Sequence, residues 1–213
     1  IRTAFEPGYP VWYLLGYIYD GVDEKTGDYI LRDVNDDGKI NSDDMTYIGK
    51  GNPDLTYGIN INLAWKGFDF SLYGAGVAGN SIMPVLHRTG FKNTLRYYSE
   101  VSRTKANPNG YYPHPSKTEG KYDFWSSSAN VFKGDFFRIK QMQLGYTLPS
   151  NITRKAAISA LRFYVSLDDF FTFTSYPGLD PETASTNSTS GSGLDWGSYP
   201  TMQKLILGVN LTF

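Results

Sequence analysis

The feature that most restricts the fold is a run of eleven residues, 55–65, in which side chains alternate strictly between apolar and polar or small. Leu55, Tyr57, Ile59, Ile61, Leu63 and Trp65 alternate with Thr56, Gly58, Asn60, Asn62 and Ala64. A period of two is the signature of a β-strand, whose successive side chains point to opposite faces. Eleven residues exceed the usual five to six of a globular strand and match the length of a strand that crosses a bilayer at a tilt.

Four further segments continue the pattern. Lys66 and Gly67 predict a tight turn into a second strand at 68–78, and strands are expected at 135–148, 161–171 and 201–213. The first half of the third strand, FFRIK, breaks the alternation, which predicts a β-bulge near Arg138 to Lys140. A short helical segment is expected within 151–158.

The connections between these strands differ greatly in length. Residues 79–134 and 172–200 form two long loops rich in Gly, Pro, Asn and Ser. Such loops are uncommon inside compact soluble domains, whereas outer-membrane barrels carry long loops at one end and short turns at the other. The pattern predicts an all-β fold, an antiparallel transmembrane β-barrel segment of about five C-terminal strands. Residues 1–54 would be an extracellular loop region, and residues 55–213 would hold the strands and their long outer loops.

Five strands cannot close a barrel, because open edges would leave backbone groups unpaired in hydrocarbon. The interpretation therefore expects additional strands N-terminal to this segment. On the lumen side we expect polar residues, namely Asn60, Asn62, Asp69, Arg162 and Asp168. On the lipid side, near the short turns, we expect an aromatic girdle composed of Trp65, Phe68, Tyr146, Phe163 and Phe213.

One motif has the spacing of a metal site. Asp33, Asn35, Asp37, Gly38, Lys39, Asn41 and Asp44 occupy positions 1, 3, 5, 6, 7, 9 and 12 of an EF-hand-type loop. Calcium prefers oxygen ligands, the glycine allows the sharp turn, and the Lys39 carbonyl would supply the seventh-position oxygen. Ile40 is expected to point inward, and Asp44 stands where a glutamate is usual. The alternative is an Asp/Asn/Gly turn stabilised by its own side chains.

Composition argues against several functions. The net charge is -1 and no basic patch stands out in the sequence, which argues against a nucleic-acid partner. The two histidines, His87 and His114, have no suitably spaced carboxylate or cysteine partners, so we expect no catalytic centre and no enzyme. Some aromatic residues outside the strands could contact a solute or a partner protein. An equal alternative is that they pack the loops against one another. The residues are Trp12, Tyr97, Tyr98, Tyr111, Tyr112 and Trp125.

Taken together, several segments resemble the C-terminal part of SusC/RagA-type TonB-dependent transporters. They are PVWYLLGYIYDG, the stretch from GDYILRDVNDDGKINSDD through LTYGININLAWKGFDFSLYGAG, FFRIKQMQLGYTLP, LRFYVSLDDFFTFTSYPGLDPE and the final LGVNLTF. The resemblance implies an outer-membrane barrel of about 22 strands, a plug, the TonB complex, a SusD-like surface lipoprotein, and import of oligosaccharides or peptides. The alternative is a secreted calcium-binding β-sandwich or carbohydrate-binding module, which would have strands of about five to six residues.

Overall fold

The computed structural model describes residues 2–85, 100–114, 122–186 and 192–213. Its strands, in chain order, are β1 (Arg2–Ala4), β2 (Tyr13–Gly16), β3 (Tyr19–Val22), β4 (Tyr29–Leu31), β5 (Thr46–Lys50), β6 (Leu55–Trp65), β7 (Phe68–Ala78), β8 (Ser81–Pro84), β9 (Phe132–Lys133), β10 (Phe136–Thr147), β11 (Ala160–Thr174), β12 (Leu194–Asp195) and β13 (Lys204–Thr212). Short helices are α1 (Tyr122–Trp125), α2 (Ser150–Thr153) and α3 (Pro181–Thr186), with single 3-10 turns at Ser42–Asp44, Ser128–Asn130 and Arg154–Ala156. Within these ranges, no helix is long and apolar enough to cross a membrane.

The chain divides into two compact units. The sheet unit comprises Leu55–Ala78, Phe136–Thr174 and Thr201–Phe213, and the loop unit comprises Ile1–Asp54, Gly79–Asp135 and Ser175–Pro200. The sheet unit therefore gathers all the long strands, and the loop unit gathers the segments between them.

The sheet unit is one antiparallel sheet with the strand order β13-β11-β10-β7-β6. Lys66 and Gly67 both have positive φ, 47° and 88°, as the tightest hairpin turns require. The β6–β7 hairpin then pairs from Trp65 with Phe68 to Leu55 with Ala78. The predicted all-β antiparallel fold is confirmed, and strands of nine to fifteen residues exceed those of a typical β-sandwich.

The predicted bulge is present on β10. The register between β10 and both of its neighbours shifts between Ile139 and Gln141, which leaves Lys140 as the inserted residue opposite β7. Opposite it on β11, Asp169 has φ 55°, a left-handed conformation that non-glycine residues rarely adopt outside turns and bulges. The extra residue explains the break in the sequence pattern. Side chains alternate between the two faces of the sheet both before and after Lys140, but the alternation is offset by one residue there.

The loop unit has small sheets and its own buried clusters. In its sheets β2 pairs with β1 and β5, β3 pairs with β4, and β8 pairs with β12 and β9. Each buried cluster joins residues far apart in the sequence. One contains Tyr19, Tyr112, Phe124, Trp125 and Ala129, a second contains Leu14, Met83, Val85 and Leu194, and a third contains Ile82, Tyr176 and Ala184. Residues expected to form separate loops are thus packed together.

Candidate functional site

The candidate site is the pair of faces of the five-stranded sheet. Residues that pair across neighbouring strands form rows that run across the sheet. On one face, these rows contain only apolar, aromatic or glycine residues. From the turn end upward, the rows across β6, β7, β10, β11 and β13 are Trp65, Phe68, Tyr146, Phe163 and Val209; Leu63, Phe70, Leu144, Val165 and Leu207; and Ile61, Leu72, Met142, Leu167 and Leu205. Leu63 is 62% exposed and Leu207 is 76% exposed. A continuous uncharged face with exposed large side chains is suited to contact lipid.

Two aromatic rows border this apolar face. The turn-end row contains Trp65, Phe68, Tyr146 and Phe163, which pair in sequence across four strands, and the Phe68 and Tyr146 ring centroids are 4.5 Å apart. Four of the five residues predicted for a girdle therefore share one row. Phe213 lies further toward the turn end, after the pair of Thr212 with Ala160.

The second aromatic row was not predicted. Tyr57 and Phe137 stack at 5.9 Å with an interplanar angle of 5°, and Phe173 lies 6.5 Å beyond Phe137. Gly76 lies between the first two in the register, and a β-carbon there would lie 2.8 Å from the Tyr57 hydroxyl. The missing side chain allows the two rings to meet.

The spacing of the two rows matches a membrane. Tyr57 and Trp65 are eight residues apart on β6, or about 27 Å at roughly 3.4 Å per residue. A tilt of about 40° reduces that length to roughly 20 Å along the membrane normal, close to the apolar band of about 25 Å found between the girdles of outer-membrane barrels.

The opposite face is polar and contains an ion pair. Arg162 donates from Nε to Asp69 Oδ2 at 2.8 Å and from Nη2 to Asp69 Oδ1 at 2.5 Å. Gly145 lies between their strands, in register with Asp69, and a β-carbon there would overlap both partners. The Arg162 guanidinium also lies 5.0 Å from the Tyr164 ring centroid. The glycine therefore makes room for a bidentate pair, the strong form of this interaction.

All five residues predicted for the lumen share this polar face. Asn62 donates from its side-chain amide to Asn60 Oδ1 at 3.0 Å, and Ser166 donates to Asp168 Oδ1 at 2.7 Å. Sequence reasoning named these residues singly, and it did not indicate that Gly145 leaves space for the ion pair or that Tyr164 lies beside Arg162. It also missed Arg138, which is 3% exposed and donates to Thr172 Oγ1 at 2.8 Å, and the Lys140–Asp169 ion pair at 3.5 Å.

The aromatic residues named as contact candidates occupy different environments. Trp12 and Tyr111 are 45% and 59% exposed, and Trp12 has a positive φ of 55°. Tyr112 and Trp125 are buried, and the Tyr112 hydroxyl donates to the Ala129 carbonyl at 2.5 Å. Tyr112 and Trp125 therefore belong to a buried cluster of the loop unit. Tyr97 and Tyr98 lie outside the described residues, and so does His87.

An exposed aromatic patch around Trp12 was not predicted. Phe5 lies 6.4 Å from Trp12, and Tyr9 lies 4.9 Å from Tyr13 and 6.1 Å from Tyr47. The abundance of aromatic residues near the start of the chain was visible in the sequence, but their grouping depends on the pairing of β2 with β5.

The loop of residues 33–44 is closed by hydrogen bonds to its own backbone. Asp33 Oδ2 accepts from the Gly38 N–H at 2.7 Å, and Asp37 Oδ1 accepts from the Lys39 N–H at 2.8 Å. Asp44 is fully buried and accepts from the Asn41 and Val34 N–H groups at 2.8 Å each, which lowers the pKa of its carboxyl. Each carboxylate oxygen bound in this way still has a second lone pair.

Calcium binding by this loop stays a prediction. Among the described residues, no group of three or more His, Cys, Asp or Glu side chains is gathered closely enough to hold a metal. Asn35 Oδ1 accepts from the Asp37 N–H at 3.1 Å, and Asn41 Oδ1 accepts from the Asp43 N–H at 2.7 Å. Ile40 was expected to point inward, which is wrong, because its side chain is 45% exposed.

Comparisons with known proteins agree with the sequence resemblance. No family model matches the chain. The chain is 32% identical over 200 residues to TonB-dependent receptor P3 of Formosa agariphila, an alignment that covers 90% of this chain and 19% of the relative. It is 26% identical over 208 residues to the TonB-dependent receptor SusC of Bacteroides thetaiotaomicron, covering 92% of this chain and 19% of that protein.

Among solved structures, the RagAB peptide transporter superposes with a TM-score of 0.75 at 21% identity, and the match covers all of this chain and 24% of that one. The chain thus spans about a fifth of the length of the curated relatives it matches. The resemblance to SusC/RagA-type TonB-dependent receptors is confirmed, and the fold is a small part of a larger outer-membrane barrel. Since these relatives are receptors and transporters, the expectation that this chain is not an enzyme is also confirmed.

Proposed function

We propose, because this chain is a small part of an outer-membrane barrel of the SusC/RagA type, that the complete protein is a TonB-dependent transporter that imports nutrients. The observation that carries the proposal is the alignment of about 90% of the chain with TonB-dependent receptors. The two faces of the sheet support it, since one is apolar throughout and the other carries an ion pair and amides suited to a water-filled interior.

The substrate and partners form the finer part of the proposal. We propose import of oligosaccharides or peptides, together with a SusD-like surface lipoprotein, a plug and the TonB complex. The relatives that support this part are SusC and a structure described as a peptide transporter. The polar face, with Asp69, Arg162 and Asn60, would supply hydrogen-bonding groups to a hydrated solute or to the plug.

A deletion experiment in the source bacterium tests the proposal. Removal of the gene should abolish growth on one class of oligosaccharide or peptide while growth on the constituent monomers is unchanged. Disruption of TonB should give the same defect, and affinity purification of the tagged protein should recover a lipoprotein. Normal uptake of every tested oligosaccharide and peptide by the deletion strain would contradict the transport proposal.

We also propose that the loop of residues 33–44 binds calcium as a structural ion. The spacing of Asp33, Asn35, Asp37 and Asn41 supports this, because the side-chain oxygens of Asp33 and Asn35 both accept from the Asp37 N–H and Asn41 stands at the ninth position of the loop. Calorimetric titration of the purified protein with calcium should show one site that is lost in Asp37→Ala.

The matched control is Asp23→Ala, which removes a carboxylate from a different turn, where Asp23 accepts from the Lys25 and Thr26 N–H groups. The control should bind calcium normally. Absence of calcium binding by the unmodified protein would leave the loop as a self-stabilised Asp/Asn/Gly turn.

A further inference from the structure

A cavity lies where the chain connects β10 to β11, at the turn end of the sheet. Its volume is about 350 Å³, and it is lined by Ser150, Arg154, Ala157, Ile158 and Ser159. Ser159 directly precedes β11 and donates its backbone N–H to the Thr212 carbonyl at 2.8 Å. By alternation, Ser159 has the same parity as Leu161 and Phe163, so this wall of the cavity is on the apolar face.

The charges at this end of the sheet are strongly unbalanced. Asp69 is already paired with Arg162. That leaves Lys66, Arg154 and Lys155 without a carboxylate partner in the described sheet unit. Three cations with no opposing carboxylate create a positive field that favours an anion.

The same end carries the aromatic row that marks a membrane boundary. The Lys66 ammonium lies 5.0 Å from the Trp65 ring centroid, and the Lys66–Gly67 turn is held beside β10 because the Thr147 N–H donates to the Gly67 carbonyl at 2.8 Å. Aromatic side chains lie at the level of the lipid headgroups, so these cations lie where lipid phosphates are found. Basic residues near a membrane surface attract anionic lipids.

We propose that this cavity, with Arg154 and Lys155, binds the phosphate of an anionic membrane phospholipid. The Arg154 guanidinium would pair with the phosphate, and the hydroxyls of Ser150 and Ser159 would donate to its remaining oxygens. The acyl chains would follow the adjacent apolar face. The site depends on the chain lying in the outer membrane and is independent of which solute the protein imports.

Native mass spectrometry of the complete receptor in detergent tests this site. The probes are phosphatidylglycerol, diacylglycerol, which has the same chains but no phosphate, and inorganic phosphate. Phosphatidylglycerol should be retained, and neither of the other probes should displace it at equal concentration. Removal of each cation should weaken retention about fivefold, roughly the effect of one basic residue near an anionic surface.

Three variants separate the contributions. Arg154→Gln with Lys155→Gln should lose the lipid. Ser159→Leu keeps both cations but removes one hydroxyl donor and narrows the cavity, and it should weaken lipid retention as well. Lys25→Gln, which removes an exposed cation from the loop unit, should retain it. Unchanged retention in the double variant, or displacement by inorganic phosphate alone, would overturn the proposal.

Discussion

Replacing Ile61 by arginine should strongly destabilise the receptor in the membrane, because Ile61 lies at the middle of the apolar face. It is four residues from Tyr57 and four from Trp65, the members of β6 in the two aromatic rows, and it pairs with Leu72. A midplane arginine on the lipid side of an outer-membrane barrel costs about 2 to 4 kcal/mol. At roughly 1.4 kcal/mol per factor of ten, the folded-to-unfolded ratio should fall by about 30-fold to several hundred-fold.

The adjacent residue provides the matched control. Asn62 lies on the polar face and pairs with Ser71, so Asn62→Arg adds the same charge to the same strand at nearly the same depth. We expect a cost below about 1 kcal/mol, since this charge can stay hydrated. The assay is urea-dependent refolding of the complete receptor into phospholipid vesicles, followed by the heat-dependent shift in gel mobility. An equal or larger cost for Asn62→Arg would refute the assignment of the two faces.

Three further changes test other parts of the structure. Gly145→Ala should reduce stability by about 1 to 3 kcal/mol, as overpacking does, because the new methyl group overlaps the guanidinium of Arg162. Refolding into vesicles measures this loss. Wild-type stability of the variant would show that the Asp69–Arg162 ion pair does not cross Gly145. As the pH falls from the ordinary carboxyl pKa of about 4 through the lowered pKa of Asp44, the loop of residues 33–44 should lose stability. The stabilisation by ionised Asp44 is complete only above the ordinary pKa and is lost once the pH has fallen through the folded pKa. The protection factor of the Val34 amide, which compares its exchange rate with the intrinsic rate at the same pH, should therefore fall with acid in the native protein and show no such dependence in Asp44→Asn. Phe124→Ala should cost about 3 to 5 kcal/mol, because the ring is 1% exposed, and limited proteolysis should then cleave the loop unit faster without affecting the sheet; unchanged cleavage would show that this ring does not stabilise the unit.

The strands and their faces could be predicted because alternation is a local property. The first strand has the predicted limits, Leu55 and Trp65, and the bulge near Lys140 was visible as a break in the alternation. The third, fourth and fifth strands differ from prediction by one to three residues at each of their ends, where the pattern is weakest.

Features that depend on register could not be predicted in the same way. Asp69 and Arg162 were each expected to face inward, but their pairing across 93 residues requires the register of β7, β10 and β11. The second aromatic row also depends on register, because Phe137 aligns with Tyr57 only as a result of the register shift at the β10 bulge. The buried clusters of the loop unit join segments such as Leu14 and Leu194, and no local sequence pattern indicates such contacts.

The most direct test of the account is the intact mass of the natural polypeptide that contains this sequence, measured from detergent-extracted outer membranes. Because 90% of this 23.9 kDa chain aligns with 19% of a curated relative, the account predicts a polypeptide of roughly 110 kDa that requires detergent. A detergent-independent protein of 23.9 kDa in the soluble fraction would contradict the membrane-barrel interpretation.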